Sequence, residues 1–237
     1  MGPKKTSVAA QAKRPLRVLI SSGPTREPID PVRFISNSST GYMGAQLVAG
    51  AISRGHRVTV VNGPSAEPLP AGARVIPVVD ARQMERALRA EAARADVVIM
   101  AAAVSDFRSV HPAAVKLPRR ARLTLTFEAT PDLIARLPRR AKQLVVGFSL
   151  ETDRVVSKAE RKLHAKRLDL LLAQRVNGNG SPFGRRLVHA WLLERGRTAR
   201  ALGRVSKPRV ARVLLDKIER LWYGQQDPKN DHDAART

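Results

Sequence analysis

Leu16-Arg17-Val18-Leu19-Ile20 is a short apolar run that ends in Ser21-Ser22-Gly23-Pro24, the pattern of a buried strand running into a loop. After a long loop, residues 43–54 are rich in Ala and Leu and stop at Gly55, which predicts a helix with its C-terminal glycine. Arg57-Val58-Thr59-Val60-Val61 then reads as a second strand. Strand, helix and strand make a βαβ unit, and the alternation continues. Residues 74–79 read as strand, 81–94 as helix and 96–101 as a very apolar strand; 143–148, 158–166 and 168–173 repeat strand, helix and strand. The expected fold is α/β, a doubly wound parallel sheet of Rossmann-like type.

Two stretches break this rhythm. Residues 107–122 carry two prolines and a basic cluster without a clean period, so a mobile loop is expected. Arg122-Leu123-Thr124-Leu125-Thr126-Phe127-Glu128 alternates with period two, the mark of a half-exposed strand. Further on, Asn177-Gly178-Asn179-Gly180-Ser181-Pro182 is a turn cluster before an apolar strand over 187–193. These additions suit a subdomain or a dimer contact. Over 207–222, Val210, Val213, Leu214, Ile218, Leu221 and Trp222 share one helical face and are expected to pack on the core. The domain is thus expected over 16–223, with a disordered basic N-terminus over 1–15 and a polar tail over 224–237.

At 237 residues and 43% apolar content, the chain can bury a sizeable core. It has no cysteine, which excludes disulfides, thiolate zinc sites and a thiol nucleophile. No apolar run approaches the roughly 18 residues of a membrane span, and the polar opening lacks the apolar stretch of a secretory signal. A cytoplasmic protein without membrane contact is expected. The charge is unusual, 43 Lys+Arg against 20 Asp+Glu for a net +23. Such an excess attracts polyanions. The basic residues are nevertheless spread in ones and twos, and aromatics are only 4%, too few for base-stacking platforms. Arginine supplies 32 of the 43, a bias that gene base composition alone can produce. The field is expected to draw small phosphorylated substrates rather than nucleic acid.

In an open parallel sheet the ligand site lies at the carboxyl ends of the strands. There the first strand leads to Ser36-Asn37-Ser38-Ser39-Thr40-Gly41, a hydroxyl-rich approach to a helix that suits either an anion site or simple capping. The G-x-G-x-x-G spacing is absent after Ile20, and the second strand ends Val61-Asn62-Gly63 with no acidic residue. Both count against an NAD(P)-binding Rossmann reductase. Ala101-Ala102-Ala103 would let a ligand approach the backbone, and Asp106 beyond them suits either a hydrated Mg²⁺ beside a triphosphate or a turn cap. Lys116-Leu117-Pro118-Arg119 is a basic segment able to fold over a charged substrate. Lys162 and Lys166, four apart, share a helical face. The five histidines show no H-E-x-x-H, so a tight metal cage is not expected.

Taken together these residues resemble the phosphopantothenate–cysteine ligase family, the synthetase half of the coenzyme A biosynthesis flavoprotein, over residues 16–222. The resemblance rests on Gly23-Pro24-Thr25-Arg26-Glu27-Pro28-Ile29-Asp30-Pro31-Val32-Arg33-Phe34-Ile35-Ser36-Asn37, on Ser39-Thr40-Gly41-Tyr42-Met43-Gly44 and on Ala102-Ala103-Val104-Ser105-Asp106-Phe107. Lys116, Gly147-Phe148-Ser149-Leu150-Glu151-Thr152, Lys162, Lys166 and Asp169 follow at the family's spacing. The resemblance implies that CTP, or ATP, activates the carboxylate of 4′-phosphopantothenate as an acyl-nucleotide with loss of pyrophosphate, after which the amine of cysteine attacks. It implies catalytic roles for Asn37 and Lys116, and nucleotide contacts from Gly23, Asp106, Phe107, Lys116, Gly147, Phe148, Lys162 and Lys166. Substrate contacts would come from Asn37, Ser39, Thr40, Gly41 and Ala103, and a Mg²⁺ contact from Asp106. It also implies a homodimer, which the period-two segments 122–128 and 187–193 would serve as open edges. Only about fifteen residues precede the first strand, so FMN and the flavin-dependent decarboxylase of bifunctional members are not expected. The sequence departs from the family at Ser39-Thr40-Gly41 for Ser-Ser-Gly, at Pro118-Arg119 in the flap, at Gln174 for an asparagine, and over 185–189. A catalytically lapsed protein that keeps nucleotide or nucleic-acid affinity is the alternative from another class.

Overall fold

The computed structural model describes residues 13–176 and 182–224. In chain order the elements are β1 (Arg17–Ser22), β2 (Arg26–Asp30), β3 (Arg33–Ser36), α1 (Tyr42–Ser53), β4 (Arg57–Asn62), β5 (Arg74–Pro77), α2 (Ala81–Ala92) and β6 (Val97–Met100). Then come β7 (Phe107–Ser109), β8 (Phe127–Ala129), β9 (Leu144–Glu151), α3 (Val155–Ala165), β10 (Leu170–Arg175), β11 (Val188–Glu194), β12 (Arg200–Val205) and α4 (Lys207–Gly224). Eight strands form one sheet in the order β12-β11-β10-β9-β6-β1-β4-β5. The run from β10 to β5 is parallel throughout. The expected doubly wound parallel sheet is present, and its added strands lie at the other edge, where β11 and β12 join antiparallel.

Burial on both faces explains why the central strands read as unbroken apolar runs: all four residues of β6 are buried. Successive side chains then divide between two helical layers. Val18 and Ile20 of β1 pack with Leu47 and Val48 of α1 and Leu214 and Ile218 of α4. Leu19 and Val98 turn the other way, onto Met84 and Leu88 of α2. On that same side α3 sets Val155, Ala159 and Leu163 against Val145 and Leu171. Asp80 caps α2 by accepting from the Gln83 N–H at 2.7 Å, and buried Glu27 accepts from the Ala81 N–H at 2.9 Å. Burial pushes the Glu27 carboxyl above its ordinary value.

Several expectations are corrected. The first long loop contains the hairpin β2–β3. Of 122–128 only the end is strand, where β8 pairs with β7, itself the start of the stretch expected to be loop. Residues 187–193 are not an open edge, because β11 lies between β10 and β12; the free edges belong to β12 and β5. The turn cluster over 177–182 falls mainly outside the described residues, as do the expected N-terminal and C-terminal tails beyond 13 and 224. Among the described residues, no helix is long and apolar enough to cross a membrane.

Candidate active site

From β1 the chain winds outward to β4 and β5, then returns to start the other half at β6, so the strand order reverses between β1 and β6. A ligand crevice belongs at such a switch point. Here the chain itself fills it. The Ala103 N–H donates to the Gly23 carbonyl at 2.9 Å, the Thr25 N–H donates to the Ala103 carbonyl at 3.3 Å, and Pro24 bridges to Ala103. Gly23 has φ 75°, and a Cβ there would lie 2.9 Å from the Gly63 carbonyl oxygen, so only glycine lets the loops after β1 and β4 cross.

The open space is displaced to the carboxyl ends of β6, β9 and β10. One cavity, about 650 Å³, is bounded by Asn37, Asp106, Phe107, Lys162, Lys166 and the 129–134 turn. A second, about 120 Å³, is bounded by Ser39, Thr40, Gly41, the start of α1, Gln174 and Lys207. Ala102, Ala103, Phe148, Ser149, Leu150 and Phe183 line both, so the two share a wall. The structure therefore gathers Asn37, Ser39, Thr40, Gly41, Ala103, Asp106, Phe107, Phe148, Lys162 and Lys166 into one cleft. Gly23, Lys116 and Gly147 line neither cavity.

Asn37 is locked in one orientation. Its Nδ2 donates to the carbonyls of Ala103 and Val104, both at 3.0 Å, which leaves Oδ1 as the end offered to a ligand. Lys162 sits on α3, its ammonium 2.6 Å from Glu151 Oε1 and 3.3 Å from Ser149 Oγ. Burial pushes the Glu151 carboxyl up, but hydrogen bonds from Lys162 and Ser149 outweigh it and hold the group below its ordinary range. Lys166, just past α3, pairs with Asp132 Oδ2 at 3.2 Å. Asp132 also accepts from the N–H groups of Ile134 and Ala135; burial alone would raise its carboxyl, and these contacts bring it below the usual range. Both cations are thus positioned at the larger cavity by internal carboxylates.

Asp106 is exposed, and among the described residues its carboxylate has no ion pair like the one that Lys166 makes with Asp132. Among the described residues, no cluster of three or more His, Cys, Asp or Glu is placed to hold a metal. A single carboxylate fits a Mg²⁺ that keeps most of its waters and takes its other ligands from phosphates.

Lys116 is exposed, and its segment is docked on the β2–β3 hairpin, away from the cleft. The Leu117 N–H donates to Asp30 Oδ2 at 3.2 Å, Arg33 Nη2 donates to the Leu117 carbonyl at 3.2 Å, and the Ala113 N–H donates to the Ile29 carbonyl at 2.8 Å. Gly147 is buried within β9, where a Cβ would come 2.5 Å from Leu168 Cδ1; its glycine is explained by packing.

The sequence reading passed over the turn 129–134 and Lys207. The first carried a visible signal, Thr130-Pro131-Asp132 before an apolar run, the pattern of a capped turn. Lys207 also carried one, since a lysine opening a helix opposes the macrodipole and needs a reason.

The chain matches the DNA/pantothenate metabolism flavoprotein C-terminal domain over residues 14–221. It belongs to that family. The coenzyme A biosynthesis bifunctional protein CoaBC of Bacillus subtilis is 40% identical over 184 residues, covering 76% of this chain and 45% of the relative. The chain thus spans less than half the length of that curated relative. Among solved structures, the C-terminal domain of CoaBC superposes with a TM-score of 0.75 at 31% identity, covering 88% of this chain and 96% of the other. The Cab2 mutant H337A in complex with phosphopantothenate-cysteine shares the fold, with a TM-score of 0.66 at 18% identity over 89% of this chain and 88% of the other.

Proposed function

We propose that this chain is a phosphopantothenate–cysteine ligase of coenzyme A biosynthesis. The observation that carries the reading is the divided cleft, in which a cavity of nucleotide size and a small pocket at the start of α1 meet at Ala102 and Ala103 beside the fixed amide of Asn37. Family membership and the CoaBC and Cab2 likenesses support it.

In this reading the substrate carboxylate attacks the α-phosphorus of CTP or ATP, a P–O bond forms and pyrophosphate leaves. The cysteine amine then attacks the acyl carbonyl, the nucleoside monophosphate leaves, and the ammonium formed gives up its proton. The difficulty is bringing an anionic carboxylate to an anionic triphosphate, which calls for positive charge and fixed donors at the meeting point. Lys162 and Lys166 supply charge at the nucleotide cavity, and Phe148 forms its apolar wall. Mg²⁺, held through Asp106, would neutralise phosphate charge. Asn37, its Nδ2 already engaged, offers Oδ1 to a donor beside the acyl centre, such as the incoming cysteine amine, without adding charge. Lys116 contributes when its segment leaves the β2–β3 hairpin.

Turnover with 4′-phosphopantothenate, cysteine and either CTP or ATP tests the reading, scored by pyrophosphate and by amide product. Absence of both products with both nucleotides would sink it. A cytoplasmic homodimer belongs to the same proposal. Exposed Val32, Phe34, Phe107 and Phe127 on the two small sheets support the association, and a monomeric mass by light scattering at micromolar concentration would contradict it.

A further inference from the structure

A groove of about 750 Å³ shares the 129–132 turn with the larger cavity of the cleft but none of its other walls. Five arginines line it: Arg82, Arg86 and Arg89 from α2, Arg108 from β7 and Arg136 beyond the turn. The three acids of the lining are already engaged. Glu85, 8% exposed, takes Arg89 at 3.6 Å and Arg136 at 3.4 Å. Glu128 takes Arg108, and Asp132 takes Lys166 of the cleft at 3.2 Å. That leaves positive charge over. Among the described residues the Arg82 and Arg86 guanidinium groups have no hydrogen bond or ion pair, and Arg108 Nε is buried without a partner.

Carboxylates are seldom buried unless they are paired. Glu85 is placed to fix two guanidinium groups on the wall of the groove, and a buried donor such as Arg108 Nε calls for an acceptor. Strand alternation sets Arg108 and Glu128 on the opposite face of the β7 and β8 pair from Phe107 and Phe127. The groove is thus separate from the apolar patch offered to a second subunit.

The arrangement of charge narrows the ligand. Arg82, Arg86 and Arg89 stand at i, i+4 and i+7 on one face of α2, a row about 10 Å long at 1.5 Å per residue. Guanidinium forks grip oxyanions in pairs of hydrogen bonds. A row of them suits negative charge strung along a chain, which linked phosphates provide and a compact carboxylate cluster does not. No aromatic side chain is among the described lining residues, so no base would be stacked there. The volume lies within the roughly 300–1,000 Å³ of small-molecule sites.

We propose that this groove is a second anion site, separate from the cleft, that binds a short polyphosphate chain, either free or as the tail of a nucleotide. The inference stands apart from the ligase reading and does not depend on it.

The test is calorimetric titration with tripolyphosphate of wild type, Arg82→Gln/Arg86→Gln and Lys162→Gln/Lys166→Gln. Exposed and unpaired, the two arginines can be exchanged without loss of the fold. Losing two charge-assisted contacts predicts at least about 10-fold weaker binding by the arginine pair, whereas the lysine pair should keep a tripolyphosphate site within about twofold of wild type. Citrate should bind wild type at least about 10-fold more weakly than tripolyphosphate. Equal tripolyphosphate affinities for wild type and the arginine pair, no binding by wild type at millimolar concentration, or a loss confined to the lysine pair would overturn the proposal. Citrate binding as tightly as tripolyphosphate would reduce the groove to general charge attraction, and a DNA duplex held more tightly through the same arginines would make it a nucleic-acid contact; either overturns it. With the arginine-dependent site in hand, CTP titrated into the lysine pair separates the two sources. A CTP affinity that falls when the arginines are also exchanged supports nucleotide tails, and one that does not fall supports free chains.

Discussion

Asn37→Asp exchanges one side-chain atom and turns the donor end of the side chain into a charged acceptor. In the wild type Nδ2 gives two hydrogen bonds of 3.0 Å, to the Ala103 and Val104 carbonyls. Aspartate has no donor to give, so both bonds go and a carboxylate oxygen faces two carbonyl oxygens. At about 0.5–1.5 kcal/mol net for each bond, the latch between the β3 exit and the loop after β6 loses about 1–3 kcal/mol before any repulsion is added. The residue is exposed, so the loss should fall on the position of the loop more than on global stability. The carboxylate also sets a further negative charge beside the anionic triphosphate, and disturbing one transition-state contact typically costs about 10²–10³-fold in rate. Asn37→Asp should therefore slow pyrophosphate release by at least about 10²-fold. Asn37→Ala, which loses the same bonds without the added charge, should be impaired less. Stopped-flow detection of pyrophosphate at saturating substrates, followed separately from amide formation, locates the step. If Asn37→Asp releases pyrophosphate at the wild-type rate, neither the latch made by Nδ2 nor the neutrality of residue 37 has a part in acyl activation.

Asp106→Asn should weaken nucleotide binding and raise the Mg²⁺ requirement while leaving phosphopantothenate affinity nearly intact; superimposable Mg²⁺ titrations would remove the metal role. Lys116→Gln should slow pyrophosphate release about 10-fold or more with unchanged melting, and a wild-type rate would mean that the segment stays on the hairpin during turnover. Asp96 is buried and is held by Arg14 and Arg17 at 3.1 and 2.8 Å; although burial pushes its carboxyl up, hydrogen bonds from Arg17 and Arg14 bring it from 3.8 to about 2. Because the folded value is depressed, this stabilisation is present above pH 4 and is lost as pH falls through about 2, an effect of about 2 kcal/mol. Urea titrations of Asp96→Asn should show at least that loss at pH 7 and no matching slope between pH 4 and 2, whereas curves parallel to wild type would refute the assignment. Gly147→Ala should push into Leu168 and lower stability by about 1–3 kcal/mol, read as a drop in melting temperature; an unchanged melt would mean that Leu168 gives way freely.

The parallel strands were legible because a strand buried on both faces writes an uninterrupted apolar run, as in β6. Elements outside that sandwich were not. The strand β2 reads Arg-Glu-Pro-Ile-Asp, with a proline and charges that mimic a loop, and its pairing with β3 needs no continuous core. Edge strand β12 carries Arg200, Gly203 and Arg204, the charges and glycine that keep an edge from recruiting neighbours. In the opposite direction, 122–128 has the right alternation, but a period alone supplies no partner strand. The site was legible where chemistry sits in contiguous motifs. It was not legible for Lys207, whose meaning depends on α4 packing beside α1, or for Lys116, whose backbone neighbours choose Asp30 over the cleft.

The last helix closes both the core and the pocket, and this sets an order of assembly on the ribosome. Synthesis runs from the N-terminus, and the residues from Asn37 to Phe183 that enclose the larger cavity emerge first. Until α4 follows, Leu47 and Val48 of α1 lack Leu214 and Ile218 to pack on, and the nascent chain presents an apolar strip to any chaperone nearby. Lys207 arrives with the element that covers this strip. A chain released before that point would be sticky and would lack one wall of the small pocket at once, so quality control by hydrophobic exposure also removes the molecules with an incomplete cleft.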